Sequence, residues 1–194
     1  MKTIDANRTA LEVYEDARQA MLPQIQCIVG PKASGKTTLG RALCQRTNMK
    51  LINFSDFVVE EGLTNADEET TTMALIRRLA AEITPRVLLE DFPTSEFQAK
   101  FFVKNCVAPS HIFHLSCGKD ECQERMINLG QGEDGYLASS ILSKRIREFN
   151  ENQKRLLPYL EKTTNLCRVN TEQTFETTFA QLCSHVEPKI LLVR

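Results

Sequence analysis

The sequence predicts a three-layer α/β/α fold built on a five-stranded parallel sheet. Five short, mostly continuous apolar runs, "IQCIV", "KLINF", "RVLLE", "HIFHLSC" and "LCRVN", alternate with segments of helical periodicity. Continuous apolar strands are what a sheet covered on both faces requires. The glycine-bearing stretch "GPKASGKTT", Gly30 to Thr38, joins the first run to a helical segment. That strand–loop–helix order is the setting of a phosphate-binding loop.

The elements follow in order. Thr9 to Met21 puts Leu11, Tyr14, Ala17, Ala20 and Met21 on one side of a helix that Pro23 ends. After the first strand and the glycine loop, "KTTLGRALCQRT" reads as a helix, and "KLINF" as the second strand. "SDFVVEEG" is a short helix, expected to be capped by Ser55 and stopped at Gly62. "ADEETTTMALIRRLAAEI" carries acids in its first turn and arginines later, as the helix dipole favours, and Pro85 closes it. "SEFQAKFFVKN" and "KDECQERMINL" are helices on either side of the fourth strand. The polar stretch "GQGEDGY" then interrupts the pattern. "SSILSKRIREFNENQKRLLPYLEK" is a long helical region with Pro158 near its end, and "TFETTFAQLCSHV" a last helix. No repeat or linker divides the chain, so residues 1–194 read as one domain.

Composition narrows the function classes. The 24 basic and 25 acidic side chains leave a net charge of −1, so no basic field exists for nucleic acid or an acidic membrane surface. Trp is absent, which argues against an aromatic platform for bases. The charged start is unlike a signal peptide, and no apolar run approaches the roughly 18 residues of a membrane span. A cytoplasmic location, a monomer in isolation and no nucleic-acid or membrane partner are therefore expected. The seven cysteines, Cys27, Cys44, Cys106, Cys117, Cys122, Cys167 and Cys183, read as reduced core thiols. His111, His114, Cys117 and Cys122 lie close in sequence, but zinc sites pair a CxxC knuckle with a distant second pair, and "HIFHLSC" reads as a core strand.

Each part of the loop has a task. Gly30 and Gly35 let the backbone turn so that the N–H groups of the stretch through Lys32, Ala33 and Ser34 point at phosphate oxygens. Lys36 reaches the β- and γ-phosphates, and a hydroxyl at Thr37 or Thr38 faces Mg²⁺. The helix beginning at Lys36 adds its positive end. Binding of ATP or GTP follows, with GTP the weaker reading because no NKxD-like segment is present.

These residues resemble the adenylate kinase family of nucleoside monophosphate kinases, over about Gln24 to Val186. "GPKASGKTT" looks like that family's loop. "NFSDFVVEEG" resembles its acceptor-site segment, which ends in Asp, two apolar residues and Arg. "LLEDFPTSEFQA" is similar to its Asp-Gly-Phe-Pro-Arg segment with the Gln that reads the acceptor base. "CQERMINLG" and "SKRIREFNENQKRLLPYLEK" look like the helices entering and leaving its lid, and "VNTEQTFETTFAQLCSHVEP" resembles the C-terminal strand and helix of its short members.

The resemblance implies a P-loop nucleoside monophosphate kinase-like fold with an N-terminal helical extension at 1–22. It also implies shortened acceptor-site helices at 54–84 and a short lid at 129–138. It implies ATP and Mg²⁺ as ligands, Arg125 over the ATP base, and Arg145 facing the transferring phosphate. Asp56 and Gln98 fall on acceptor-site positions. Glu90 takes the place of the strand-end carboxylate that orders Mg²⁺, with Asp91 a competing choice. The chain departs from the family where arginines cage the phosphates: Val59, Thr94 and Leu129 stand there instead, and the lid tip carries Glu133 and Asp134. Lys32, Arg77 and Arg78 are possible substitutes, although the two arginines also suit a solvated helix face. Two functions follow. One is a divergent nucleoside monophosphate kinase. The other is a catalytically weak or inactive module acting as a structural or regulatory part with a protein partner, as relatives do in ciliary and cytoskeletal proteins.

Overall fold

The computed structural model describes residue 5, residues 7–128 and residues 135–186. Five strands, β1 (Gln24–Val29), β2 (Lys50–Asn53), β3 (Arg86–Glu90), β4 (His111–Ser116) and β5 (Leu166–Asn170), form one sheet in the order β2-β3-β1-β4-β5. Every pairing is parallel; Cys27 of β1 lies beside Leu89 of β3 on one side and Ile112 of β4 on the other. The helices are α1 (Ala10–Met21), α2 (Lys36–Thr47), α3 (Phe54–Glu60), α4 (Glu68–Ala80), α5 (Glu96–Asn105), α6 (Lys119–Asn128), α7 (Gly135–Thr163) and α8 (Phe175–Val186). The expected α/β class and five-stranded parallel sheet are both present.

Alternation along the strands separates the two apolar layers. Ile25, Cys27 and Val29 join Val87, Leu89 and Ile112 in a core closed by Leu75, Phe102, Leu156 and their neighbours on α4, α5 and α7. Ile28, Leu88, Phe113 and Leu115 turn to the other face, against Leu39 and Leu43 of α2 and Leu182 of α8. A Cβ on Gly40 would lie 3.4 Å from Leu51 and 3.6 Å from Leu88, so this glycine lets α2 ride close on the sheet.

Local signals explain the helix ends, with one correction. Thr9 and Glu12 form a capping box at α1: the Thr9 backbone N–H donates to the Glu12 carboxylate (2.9 Å). Asp67 caps α4 by accepting from the Thr70 N–H. For α3 the cap is Asn53, not the expected Ser55: Asn53 Oδ1 accepts from the Asp56 N–H at 3.1 Å. The helix starts directly at the strand end with no intervening loop, which leaves Ser55 inside its first turn. Leu11 and Tyr14 of α1 are exposed. Of the expected lid, residues 129–134, including Leu129, Glu133 and Asp134, lie outside the described residues, as does the "KILLVR" tail; residues 135–138 open α7.

β1 leads through α2 to β2 on one side of itself, and β3 leads through α5 to β4 on the other. The carboxyl ends of β1 and β3 thus flank the point where the winding reverses, the place where open α/β sheets hold ligands.

Candidate functional site

The loop between β1 and α2 opens at that point. Its glycines are required by space and by dihedral. A Cβ on Gly30 would meet Ser34 Oγ at 2.7 Å, Leu115 Cβ at 2.9 Å and the Leu115 carbonyl at 3.1 Å. Gly35 has φ 90° and leads into α2 without a side-chain cap, so the first N–H groups of that helix remain available to an anion. Ala33 also holds a positive φ, 66°, a conformation glycine adopts more cheaply. Ser34 is fully buried, and its hydroxyl has no hydrogen-bond partner among the described residues.

Lys36 is buried at 7% exposure. Its ammonium donates to the carbonyls of Gly30 (2.8 Å) and Pro31 (2.7 Å) and lies 3.3 Å from the Asp91 carboxylate. Thr37 donates its hydroxyl to Glu90 Oε1, across from the end of β3. Glu90 is 1% exposed, and its other oxygen, Oε2, has no partner among the described residues. A hydroxyl and a buried carboxylate oxygen left open are hard oxygen donors suited to Mg²⁺. Lys32, Ala33, Gly35, Thr38, Glu90, Asp91 and Arg125 all border one hollow of about 470 Å³. Arg125 is held at its rim by Glu121 (2.8 Å) and by the Thr171 carbonyl (2.5 Å). Arg145 is exposed on α7 and borders neither this hollow nor the next.

A second hollow of about 300 Å³ shares Thr37, Asn53 and Glu90 with the first and contains Asp56 on α3. Three cations border it: Arg41, Lys50 and Arg78. Lys50 and Arg78 both bind Glu82, at 2.7 and 2.9 Å, and the Lys50 ammonium holds that carboxyl down at about 2 against the opposing effect of burial. Arg41 and Lys50 went unnoticed in the sequence. A signal existed for the first: Arg41 stands four residues after Thr37, hence on the same side of α2. Arg77, by contrast, is exposed and borders neither hollow.

Two further acceptor-side positions, Gln98 and Val59, differ in burial. Gln98 is 3% exposed, and its side-chain oxygen accepts from both the N–H and the hydroxyl of Thr94. It borders neither hollow. Val59 is 66% exposed.

The cysteines are buried except Cys117, which is half-buried, and none of the seven is in a disulfide. Burial pushes Cys44 up to about 11 and Cys122 up to about 12, which leaves both un-ionised near neutral pH. His111 stacks with Phe113 and His114 with Phe149, from opposite faces of the sheet, so the two do not converge. No helix among the described residues is long and apolar enough to cross a membrane.

No family model matches the chain. It is 30% identical over 108 residues, 54% of its length, to adenylate kinase isoenzyme 5 of Mus musculus, and 20% identical over 109 residues, 55% of its length, to adenylate kinase isoenzyme 1 of Oryctolagus cuniculus. The matched stretches span 19% and 56% of those relatives. The sheet order and the loop at the switch point are consistent with a P-loop nucleoside monophosphate kinase-like fold, and over about half its length the chain is similar to adenylate kinases.

Proposed function

We propose that this chain is a nucleotide-binding, adenylate kinase-like protein that holds Mg·ATP at the loop of Gly30 to Thr38. The observation that carries the reading is the buried Glu90 carboxylate, tied to Thr37 by one oxygen and open at the other, beside an ammonium and a helix N-terminus. Lys36 and the loop N–H groups orient the phosphates, Arg125 flanks the base, and Thr37 with Glu90 holds the metal. When bound, Mg²⁺ neutralises charge on the phosphate oxygens. The reaction such a donor half serves is phosphoryl transfer to a nucleoside monophosphate in the neighbouring hollow, near Asp56. The reading treats residues 1–194 as one unit with a shortened acceptor segment at 54–84 and a short lid at 129–138.

A second reading has an observation of its own. Gln98 is occupied by Thr94, Val59 offers no charge, and two of the three cations bordering the acceptor-side hollow, Lys50 and Arg78, are engaged by Glu82, which leaves fewer charged donors for a transferring phosphate than phosphoryl transfer uses. A catalytically weak module that binds nucleotide and serves an assembly fits that pattern. Calorimetric titration with Mg·ATP, run beside a coupled assay for ADP with AMP as acceptor, tests both. Mg·ATP binding that Lys36→Ala weakens at least about tenfold supports the donor site; equal binding by both proteins overturns it. Turnover of AMP at ordinary kinase rates removes the second reading.

A further inference from the structure

We propose that Asp91 is the resident counter-ion of the phosphate-loop lysine and makes nucleotide binding strongly dependent on Mg²⁺. The inference rests on the donor-site reading above and assigns Asp91 a task distinct from holding metal.

Three facts converge on the residue. Its carboxylate lies 3.3 Å from Lys36 Nζ, and Lys36 is the buried cation of the loop. The carboxylate is one-third exposed and borders the donor hollow, so it faces whatever enters there. Its backbone holds φ 60°, a conformation costly for a side-chain-bearing residue and cheap for glycine.

The backbone of Asp91 is anchored on both sides. The Asp91 N–H donates to the Ile28 carbonyl at 3.1 Å, tying the residue to β1 just before the loop begins. Phe92 is fully buried between Phe54 and Phe102, each ring centre 5.0 Å away, and anchors the chain on the other side. The main chain of Asp91 cannot move without disturbing one of these anchors, so its Cα stays beside Lys36.

Glu90 and Asp91 therefore divide the work. Glu90 points to Thr37 and keeps one oxygen open, whereas Asp91 points to Lys36. A phosphate chain that reaches Lys36 comes within a few ångströms of the Asp91 charge. Metal-free ATP carries more negative charge than Mg·ATP and meets more repulsion. Bound Mg²⁺ cancels part of the polyphosphate charge and so lowers that penalty. A carboxylate here thus selects the metal complex over the bare nucleotide.

Asp91→Asn and Asp91→Gly test this, with ATP titrated calorimetrically once in Mg²⁺ and once in EDTA. Asparagine tolerates positive φ and removes only the charge, while glycine also removes the strain, so neither variant threatens folding. The expected result is metal-free ATP binding roughly tenfold tighter in both variants, with Mg·ATP changed less than about threefold. Unchanged metal-free affinity overturns the proposal. So does weaker Mg·ATP with metal-free ATP unaltered, which would make Asp91 a metal ligand. Failure of the donor-site reading looks different: neither the unmodified protein nor either variant then binds ATP in either condition, and the counter-ion role falls with it.

Discussion

Thr94 gives both its backbone N–H and its hydroxyl to the side-chain oxygen of Gln98, each at 2.9 Å. The resemblance to adenylate kinases implies a base-reading amide at Gln98 and an arginine at position 94; here Thr94 holds the oxygen of that amide. We expect ATP-to-AMP transfer at least about a thousandfold below an ordinary adenylate kinase, because each missing charged donor costs roughly 10²–10³ in rate. Arginine restored together at positions 59, 94 and 129 should recover only part of it. A coupled ADP assay on both proteins checks this, and unmodified protein running at ordinary rates would show the prediction wrong.

Gly30→Ala should destabilise the fold by about 1–3 kcal/mol and abolish Mg·ATP binding together. The added methyl would lie within 3.1 Å of the Leu115 main-chain carbonyl, which cannot move without shifting β4. Urea denaturation and calorimetry read the two effects; a variant of unchanged stability would contradict the packing argument.

Arg125→Ala should weaken Mg·ATP several-fold, an effect of about 0.5–2 kcal/mol from a lost stacking and cation–π contact. The guanidinium is already oriented by Glu121 and the Thr171 carbonyl at the rim of the donor hollow. Equal affinity in the two proteins, measured by calorimetry, would remove Arg125 from the site.

Acid should destabilise the protein in two stages. Burial lowers His111 and His114 below the usual histidine value. A group whose folded value is depressed gives stability that is complete above its unfolded value, here about 6.5, and is lost as pH falls from there through the folded value. Glu82 follows the same sign at lower pH: its contribution is lost between 4.5 and about 2. Urea midpoints across pH check this. His114→Phe should reduce the upper step and Glu82→Gln the lower; a stability curve that rises on acidification would refute the assignment.

What the sequence made legible was whatever lies close along the chain. "IQCIV" and "RVLLE" are continuous apolar runs because both faces of the sheet are covered, and Lys36 and Thr37 follow from the spacing of the loop. Glu90 was visible as the last residue of an apolar run. The Asn53 cap was missed because Asn53 and Ser55 are both good caps two residues apart, and only the absence of a loop after β2 decides between them. The pairing of Gln98 with Thr94 depends on which way a rotamer turns, and the contact of Lys36 with Asp91 joins residues far apart in sequence. Lys50 carries no pattern of its own, and the spacing of Arg41 from Thr37 gains meaning only once β2 and α2 are set side by side.

The order of the strands has a consequence for how the molecule comes apart. β1 is zipped to neighbours along both edges, while β2 is held along one edge alone, by β3, with α3 and α4 following it in sequence. Breathing that peels β2 and its helices away leaves both lateral partners of β1 in place, and the loop at its tip keeps its footing. Amide exchange should accordingly be slower at Gln26, Cys27 and Ile28 than at Leu51 and Ile52, and similar rates in the two strands would contradict this. In such an arrangement the flank of β2, α3 and α4 can accept substitutions without unfastening the strand that leads into the Gly30–Thr38 loop.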